Sequence, residues 1–565
     1  MSTTLMIRIA YRFGLMGLAV SLLGSSTAAQ LVRNVALTGD QAPGTQTGVE
    51  FGKSSGLFPA LSLPTMNSVG QTAFHAELFS EDSETERHFG IWSEGTGELA
   101  LVVRHGELLN GSLLGLPPPK TGSLHINDAG QTAFRATVTS DDDGTEVTNI
   151  AIWLDDNGSL TRILFAEDHP PDIPISASFA SLSTSFSFNS AGQIAFRADT
   201  DSGPSNLTEG PDDNGVWSNA TGALRAVAFT GSQTPETPVG VKFRFIRGPV
   251  FNDAGQTAFN AVVAGDGVDA ADDTGIWKEN LGDLTKVART GEQAPGVPMG
   301  INFRSLGSPA LNAAGQTAFI ANLTGAFDSG IWSEGTGELS LVALAGEQAP
   351  GLHAGVDYKG FAFSPVLNRA GHTAFQGVLS GAAIDGTNNV GIWSEGSGTL
   401  ELVAREGDQA PGTSGDTVFF GGNHSTFTEL VLNSAGRVAF QGRLTGEGIN
   451  SLNDKGLWAE DEARVLRLIV RQGDHLEVAP GDYRTIRNLG FIGNTGNEDG
   501  RPSGFNDYGQ LSFWANFTDG TEGIFVSNLV AIPEPSSLLL GTIAVISLTF
   551  FRVNLPYIAL GCSRR

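Results

Sequence analysis

The sequence predicts an all-β fold, eight tandem four-stranded repeats closed into an eight-bladed β-propeller. Three observations lead there. The pattern NxxGxxAF recurs at Asn67, Asn127, Asn189, Asn252, Asn312, Asn368 and Asn433, with a degenerate eighth copy, NDYGQLSF, at Asn506. A second signature, G-I-W or a close variant, puts Trp92, Trp153, Trp217, Trp277, Trp332, Trp393 and Trp458 in the same phase, with Phe525 in the eighth unit. Composition is the third: 74 Gly and 25 Pro in 565 residues signal many turns, and so short strands.

Each unit reads as four strands. Strand a is the ELxLVAR segment, as at 401–405, and strand b runs up to the Asn, as over 303–311. Strand c is GQTAFxAxL, with Thr317, Phe319 and Ala321 alternating onto one face, and strand d carries the GIW. In Asn-x-x-Gly, Asn at the first and Gly at the fourth position suit a type I turn, so b and c form a tight hairpin. The Gly-rich stretches Trp92–Glu98 and Trp332–Glu338 make a second hairpin between d and a. A third signature, GDQAPG or GEQAPG at Gly39, Gly291, Gly346 and Gly407, reads as a turn.

Spacing assigns the faces. Asn to the motif Phe is always 7 residues, whereas motif Phe to Trp varies from 13 to 21. In an up-and-down meander the b–c and d–a turns share one face and the a–b and c–d loops share the other. Insertions therefore gather on one side, where function is expected. A unit of roughly 60 residues is too small to hold a core alone. The repeat region opens on an a-type strand, 31–37, and finishes on a d-type strand, 523–529. Pairing those two would close a ring and remove two exposed edges. An open β-solenoid array is the alternative, with the terminal strands far apart.

The ends read as addresses. Residues 1–29 form a signal peptide: Arg8 and Arg12 precede an apolar run, and Ser26-Thr27-Ala28-Ala29 is a small-residue cleavage site. At 530–565, Pro533-Glu534-Pro535 stands directly before an uncharged stretch, 536–551, of marginal membrane-spanning length, with Arg552, Arg564 and Arg565 beyond it. This end resembles the PEP-CTERM sorting signal of Gram-negative bacteria, and the resemblance implies processing by an exosortase-type membrane protease. The repeat region, 30–529 between the two signals, resembles the bacterial tandem-repeat family named for its NxxGxxAF motif, whose members carry alternative C-terminal anchors. That second resemblance implies no activity.

Charge excludes more than it assigns. With 33 Lys+Arg against 60 Asp+Glu the net charge is −27, which argues against nucleic acid. The single Cys562 excludes a disulfide framework and a Cys-based zinc site. Of 24 acids between motif Phe and Trp (or Phe525), 18 lie in the first four units. Among them Asp141, Asp142, Asp143, Asp212, Asp213, Asp272 and Asp273 are the candidate calcium ligands, because Ca²⁺ takes about 6–8 oxygens from such groups. The plain reading is solvated loops that aid solubility.

No catalytic residue is assigned. His75, His372 and His424 fall at unmatched repeat positions, and Gly52-Lys53-Ser54-Ser55-Gly56 matches G-x-S-x-G without the strand–turn–helix setting a nucleophile needs. The expected function is that of an exported, membrane-anchored or surface-released, non-enzymatic repeat protein. It would bind or scaffold in the cell envelope or the extracellular polysaccharide matrix. Its partners would be the sorting protease and extracellular polysaccharide or envelope proteins. The alternatives are a secreted propeller enzyme acting on glycans and a calcium-dependent adhesion module. An acid or histidine that breaks the repeat while facing the central channel would favour the enzyme.

Overall fold

A computed structural model describes residues 32–527, apart from 53–58, 80–87, 110–111, 117–122, 143–144, 174–176, 202–212, 326–327, 423–425 and 497. The strands form eight antiparallel sheets, each containing b-c-d-a in that order, with a further strand pairing outside b in blade 2 (Leu108–Leu109) and blade 8 (His475–Ala479). Blade 5 is representative: strand b at Phe303–Leu306 and Ala310–Leu311, c at Thr317–Leu323, d at Ser329–Ser333 and a at Ser340–Leu344. Strand a belongs to the following sequence repeat, so blades and repeats are offset by one strand.

That offset closes the ring. Blade 8 has strand b at Asp482–Gly490, c at Ser512–Phe517 and d at Glu522–Ser527, and its strand a comes from the other end of the repeat region. Val32–Leu37 fills the place, pairing antiparallel with Glu522–Ser527 from Val32↔Ser527 to Leu37↔Gly523. The protein is an eight-bladed β-propeller closed by its N- and C-terminal strands, and the open array is excluded.

The two signatures meet inside every blade. The motif Phe of strand c pairs directly with the Trp of strand d, as in Phe74↔Trp92, Phe319↔Trp332 and Phe440↔Trp458, and Phe513↔Phe525 repeats it in blade 8. An aromatic from strand b then meets the indole edge-on, Phe303 against Trp332 at 5.0 Å and 78°. Gly stands two residues before the Trp in every blade with a Trp except blade 2, which has Ala151 there, because the ring folds back over that position. A Cβ on Gly330 would lie 2.7 Å from the Trp332 ring.

The QAPG segment is a turn, and it also covers the indole. Trp92, Trp332, Trp393 and Trp458 each donate Nε1–H to a proline carbonyl of that turn, Pro43, Pro295, Pro350 and Pro411, at 3.0 Å. The Gln side chain braces the loop from within, as Gly300 donates its N–H to Gln293 Oε1 at 2.7 Å.

Strand b departs from the expected continuous 303–311. It breaks at Gly307-Ser308-Pro309, and Pro249 and Pro365 occupy the same position, three residues before the Asn, in blades 4 and 6. Proline has no N–H for a ladder bond, and b is an edge strand, where such a break is tolerated and blunts further pairing.

Candidate functional site

The motif asparagines build the inner rim. All eight are 0–5 % exposed. In each turn the Gly takes a positive φ, +75° at Gly315, and donates its N–H to the Asn carbonyl, at 3.0 Å for Asn312. The Asn312 Oδ1 accepts from the Ala314 and Gln316 amides at 3.0 Å. Its Nδ2 donates out of the blade to the Asn368 carbonyl at 2.9 Å. Links of this kind join Asn67 to Asn127, Asn127 to Asn189, Asn189 to Asn252, Asn252 to Asn312, Asn368 to Asn433 and Asn433 to Asn506, at 2.8–3.2 Å. Side-chain amides thus fasten one blade to the next around the axis, and strand b is the innermost strand.

Unit 8 breaks the repeat at the centre. Between Gly490 and Asn506 the chain leaves its blade and crosses the axis. Met66, Phe188 and Phe251 donate backbone N–H groups to the carbonyls of Ser503, Gly500 and Asp499 at 2.8–2.9 Å. Ala313 N–H donates to Glu498 Oε2 at 3.0 Å, and Asn494 N–H to the Leu430 carbonyl at 3.2 Å. The segment is therefore held by blades 1, 3, 4, 5 and 7. Met66, Phe188 and Phe251 each directly precede a motif Asn, so this plug lies at the level of the Asn rim, on the fixed-turn side.

Beyond the plug, towards the variable-loop side, is a cavity of two lobes, about 340 and 380 Å³, which share Asn494 and Arg501. The first is walled by Phe186, Pro249 and Pro309, the second by Phe363, Gln376 and Glu429. Glu429 and Asn494 both take left-handed backbone conformations, φ +55° and +93°, which cost a non-glycine residue about 1–2 kcal/mol. Gly493 N–H donates to Glu429 Oε2 at 3.0 Å and helps to hold that geometry.

Charges at the centre are largely committed. Arg501 Nε donates to Oδ2 of the fully buried Asp499 at 2.8 Å. Burial pushes the Glu498 carboxyl above its usual range, while Ser434 Oγ and Ala313 N–H hydrogen bond to it. Acids do break the repeat in the channel, then, and Glu498 and Asp499 serve there as anchors of the plug. Glu429 is exposed on the second lobe.

The candidate calcium ligands are spread over three blades. Asp141 and Asp142 lie in strand c of blade 2, Thr132–Asp142; Asp143 and Asp212 fall outside the described residues. The Asp213 carbonyl accepts from Thr200 N–H at 2.8 Å. Asp272 pairs with Arg289 at 3.0 Å and accepts the Asp269 amide, and Asp273 accepts Thr274 Oγ1–H at 2.9 Å. Among the described residues no group of three or more His, Cys, Asp or Glu gathers to hold a metal. The sorting motif Pro533-Glu534-Pro535, residues 53–56 of the G-x-S-x-G match and His424 also lie outside the described residues. Among the described residues no helix is long and apolar enough to cross a membrane, and 536–551 are not among them.

His75 lies buried on strand c of blade 1, its ring nitrogens without a hydrogen-bond partner among the described residues. Burial depresses its pKa to about 4. His372 stands where six units have Gln and unit 7 has Arg437, donating its backbone N–H to Asn368 Oδ1 at 3.0 Å.

One repeated role escaped the sequence reading. The Glu two residues after Trp accepts the amide and hydroxyl of the Thr that opens strand c: Glu94 with Thr72, Glu334 with Thr317, Glu395 with Thr373. Lys278 of blade 4 reaches Glu334 of blade 5 at 2.8 Å. Recurrence of W-S-E was the signal, obscured by its place in a Gly-rich turn.

Solved structures similar to this chain include Pyrococcus horikoshii acylaminoacyl peptidase, at 10 % identity over 81 % of this chain and 58 % of that one, TM-score 0.34. The β-propeller domain of the Trilobed protease from Pyrococcus furiosus is 11 % identical over 74 % of this chain and 97 % of its own, TM-score 0.32. Penicillium chrysogenum alpha-L-arabinanase complexed with arabinobiose is 12 % identical over 64 % and 97 %, TM-score 0.24. The chain spans 58 % of the length of the peptidase. No curated protein matches it. The model of a family of unknown function, DUF7453, matches twice in succession, over residues 19–327 and 324–539, and the chain belongs to that family.

Proposed function

We propose that this propeller is an exported, non-enzymatic binding protein of the cell envelope or extracellular polysaccharide matrix, anchored or released through its C-terminal segment. The observation that supports binding over turnover is the use of the channel's own acids. Glu498 and Asp499, which break the repeat on the axis, are bonded to the Ala313 amide, Ser434 Oγ and Arg501 and hold the plug, and Glu429, exposed on the second lobe, accepts the Gly493 amide. A carboxylate engaged in that way is poorly placed to exchange protons with a substrate, since a general acid or base must reach the reacting group within about 3 Å.

A glycan array probed with the full chain, with and without Ca²⁺, followed by product analysis of every hit, tests the reading. Retention of glycans without cleavage is expected. Turnover of any of them would turn the reading to a glycan-acting enzyme, and binding lost on chelation would turn it to a calcium-dependent adhesion module. Pro533, Glu534 and Pro535 all replaced by Ala should leave the protein unprocessed in the membrane. Unchanged surface release would remove the sorting part of the proposal.

A further inference from the structure

The two-lobed cavity over the plug has a chemistry of its own. Its lobes share Asn494 and Arg501 and so form one trough from blade 3 to blade 7, a shape for an elongated ligand. Apolar faces, Pro249, Pro309 and the 52 % exposed Phe363, alternate with polar groups along it. Gln376, only 3 % exposed, lines the second lobe. Its Nε2 donates to the Phe427 carbonyl at 2.9 Å, while its Oε1 has no partner among the described residues. A buried acceptor left so costs about 1–3 kcal/mol, which a ligand hydroxyl or N–H would recover.

Charge and backbone narrow the class. Arg501 is already paired with Asp499, and Glu429 adds an exposed carboxylate, so the trough does not favour an anion. A peptide could supply N–H donors, and sheet edges capture peptides by adding a strand. Here the inner edge strands are interrupted at Gly248-Pro249, Ser308-Pro309 and Ser364-Pro365, where proline offers no N–H. A sugar ring instead presents apolar C–H faces to Pro and Phe and hydroxyl donors at its rim to Gln376 and Glu429.

We infer that this trough is a subsite for a neutral oligosaccharide, with Phe363 as the stacking platform and Gln376 Oε1 and Glu429 as hydroxyl acceptors. The inference rests on the binding function proposed above and names its site and ligand class. Titration calorimetry of the full chain with neutral hexamers of glucose, galactose and mannose, a hexauronate and a neutral Gly-Ser decapeptide tests it. At least one neutral hexamer should bind, with the hexauronate at least tenfold weaker and the peptide inert. Phe363→Ala, on an exposed side chain, and Gln376→Leu should each weaken the hexamer at least tenfold. Tyr508→Ala, in a b–c turn on the opposite face, should leave it unchanged. Tighter hexauronate or peptide binding overturns the ligand class. Hexamer binding that survives both Phe363→Ala and Gln376→Leu overturns the site while leaving the binding function standing. Binding of no hexamer, with no hit on the array, removes both.

Discussion

The Nδ2 of Asn433 donates to the carbonyl of Asn506 at 2.9 Å, joining blade 7 to blade 8 across 73 residues of chain. The same amide links consecutive blades elsewhere on the rim, so one residue type both closes a hairpin and holds its neighbour.

Removing one such link should therefore cost more than a turn residue would. Asn312→Ala takes the Asn312 partner from the amides of exposed Ala314 and half-buried Gln316, and removes one of the two donors to the buried Asn368 carbonyl, which keeps the Gly371 N–H. At about 1–3 kcal/mol for a buried group left unsatisfied, the Gln316 amide and the lost inter-blade bond put the expected loss at about 1–3 kcal/mol. Urea denaturation reads it directly. A loss under about 1 kcal/mol would mean that the rim contributes little.

Ring closure makes a separate claim on the N-terminal strand. Besides its ladder with Glu522–Ser527, it is bound through Thr38, whose N–H donates to the Glu522 carbonyl and whose Oγ1 accepts the Glu522 N–H, both at 2.9 Å. Deleting 32–38 should expose the edge of Glu522–Ser527 and drive self-association, because an uncovered strand recruits another. Sedimentation velocity should show dimers or larger species, and a synthetic 31–38 peptide added in trans should restore the monomer. A monomeric deletion variant with unchanged melting would contradict the closure.

The glycine of G-I-W is tested by adding one methyl. In Gly330→Ala the new Cβ would sit 2.7 Å from the Trp332 ring, forcing the indole from its contact with Phe303 and its bond to the Pro295 carbonyl. Overpacking of this kind costs about 1–3 kcal/mol. A lower melting temperature and a shifted tryptophan emission are expected. An unchanged spectrum would show that the ring has room to move.

What the sequence made legible was what recurs. Strand a at Glu401–Arg405, the Asn-x-x-Gly hairpin, the common phase of Phe and Trp and the pairing of the two ends all follow from period and turn chemistry, and all appear in the fold. The plug was not legible, because residues 491–505 occur once and their partners come from five blades far away in sequence. Glu429 and Asn494 owe their strained backbones to those same contacts. The acidic run Asp269–Asp273 looked distinctive for its charge. Its turn, with Asp269 accepting the Ala271 amide and Asp272 the Asp269 amide, recurs with Asp385 and Asn388 in blade 6 and with Asn450 and Asn453 in blade 7. Geometry asks there for a short polar side chain, and the charge is incidental to the turn.

Glu460 makes a pH-dependent prediction from a missing hydroxyl. It occupies the position of Glu334 and Glu395, but strand c of blade 7 opens on Val438, so among the described residues only the Val438 amide donates to it, at 2.8 Å. Burial pushes its carboxyl up to about 7 against the pull of the Val438 amide and the guanidinium groups of Arg464 and Arg437, with Glu401 adding repulsion. The unfolded chain releases this proton near the ordinary glutamate value of about 4.3. Between there and about pH 7 the folded state binds more protons than the unfolded state, so this group's contribution to stability falls as pH rises and is level above about 7. His75, held neutral with a pKa of about 4, acts in the opposite sense over much of the same window. The comparison must therefore be made between variants. Glu460→Gln should remove the Glu460 component of the slope and gain stability on the wild type as pH rises from 4.5 to 7. Val438→Thr restores the hydroxyl that Thr317 supplies to Glu334 at 2.7 Å, which should lower the Glu460 pKa and flatten the same slope. Equal pH profiles for wild type and both variants in urea denaturation would show that Glu460 is ionised across the range.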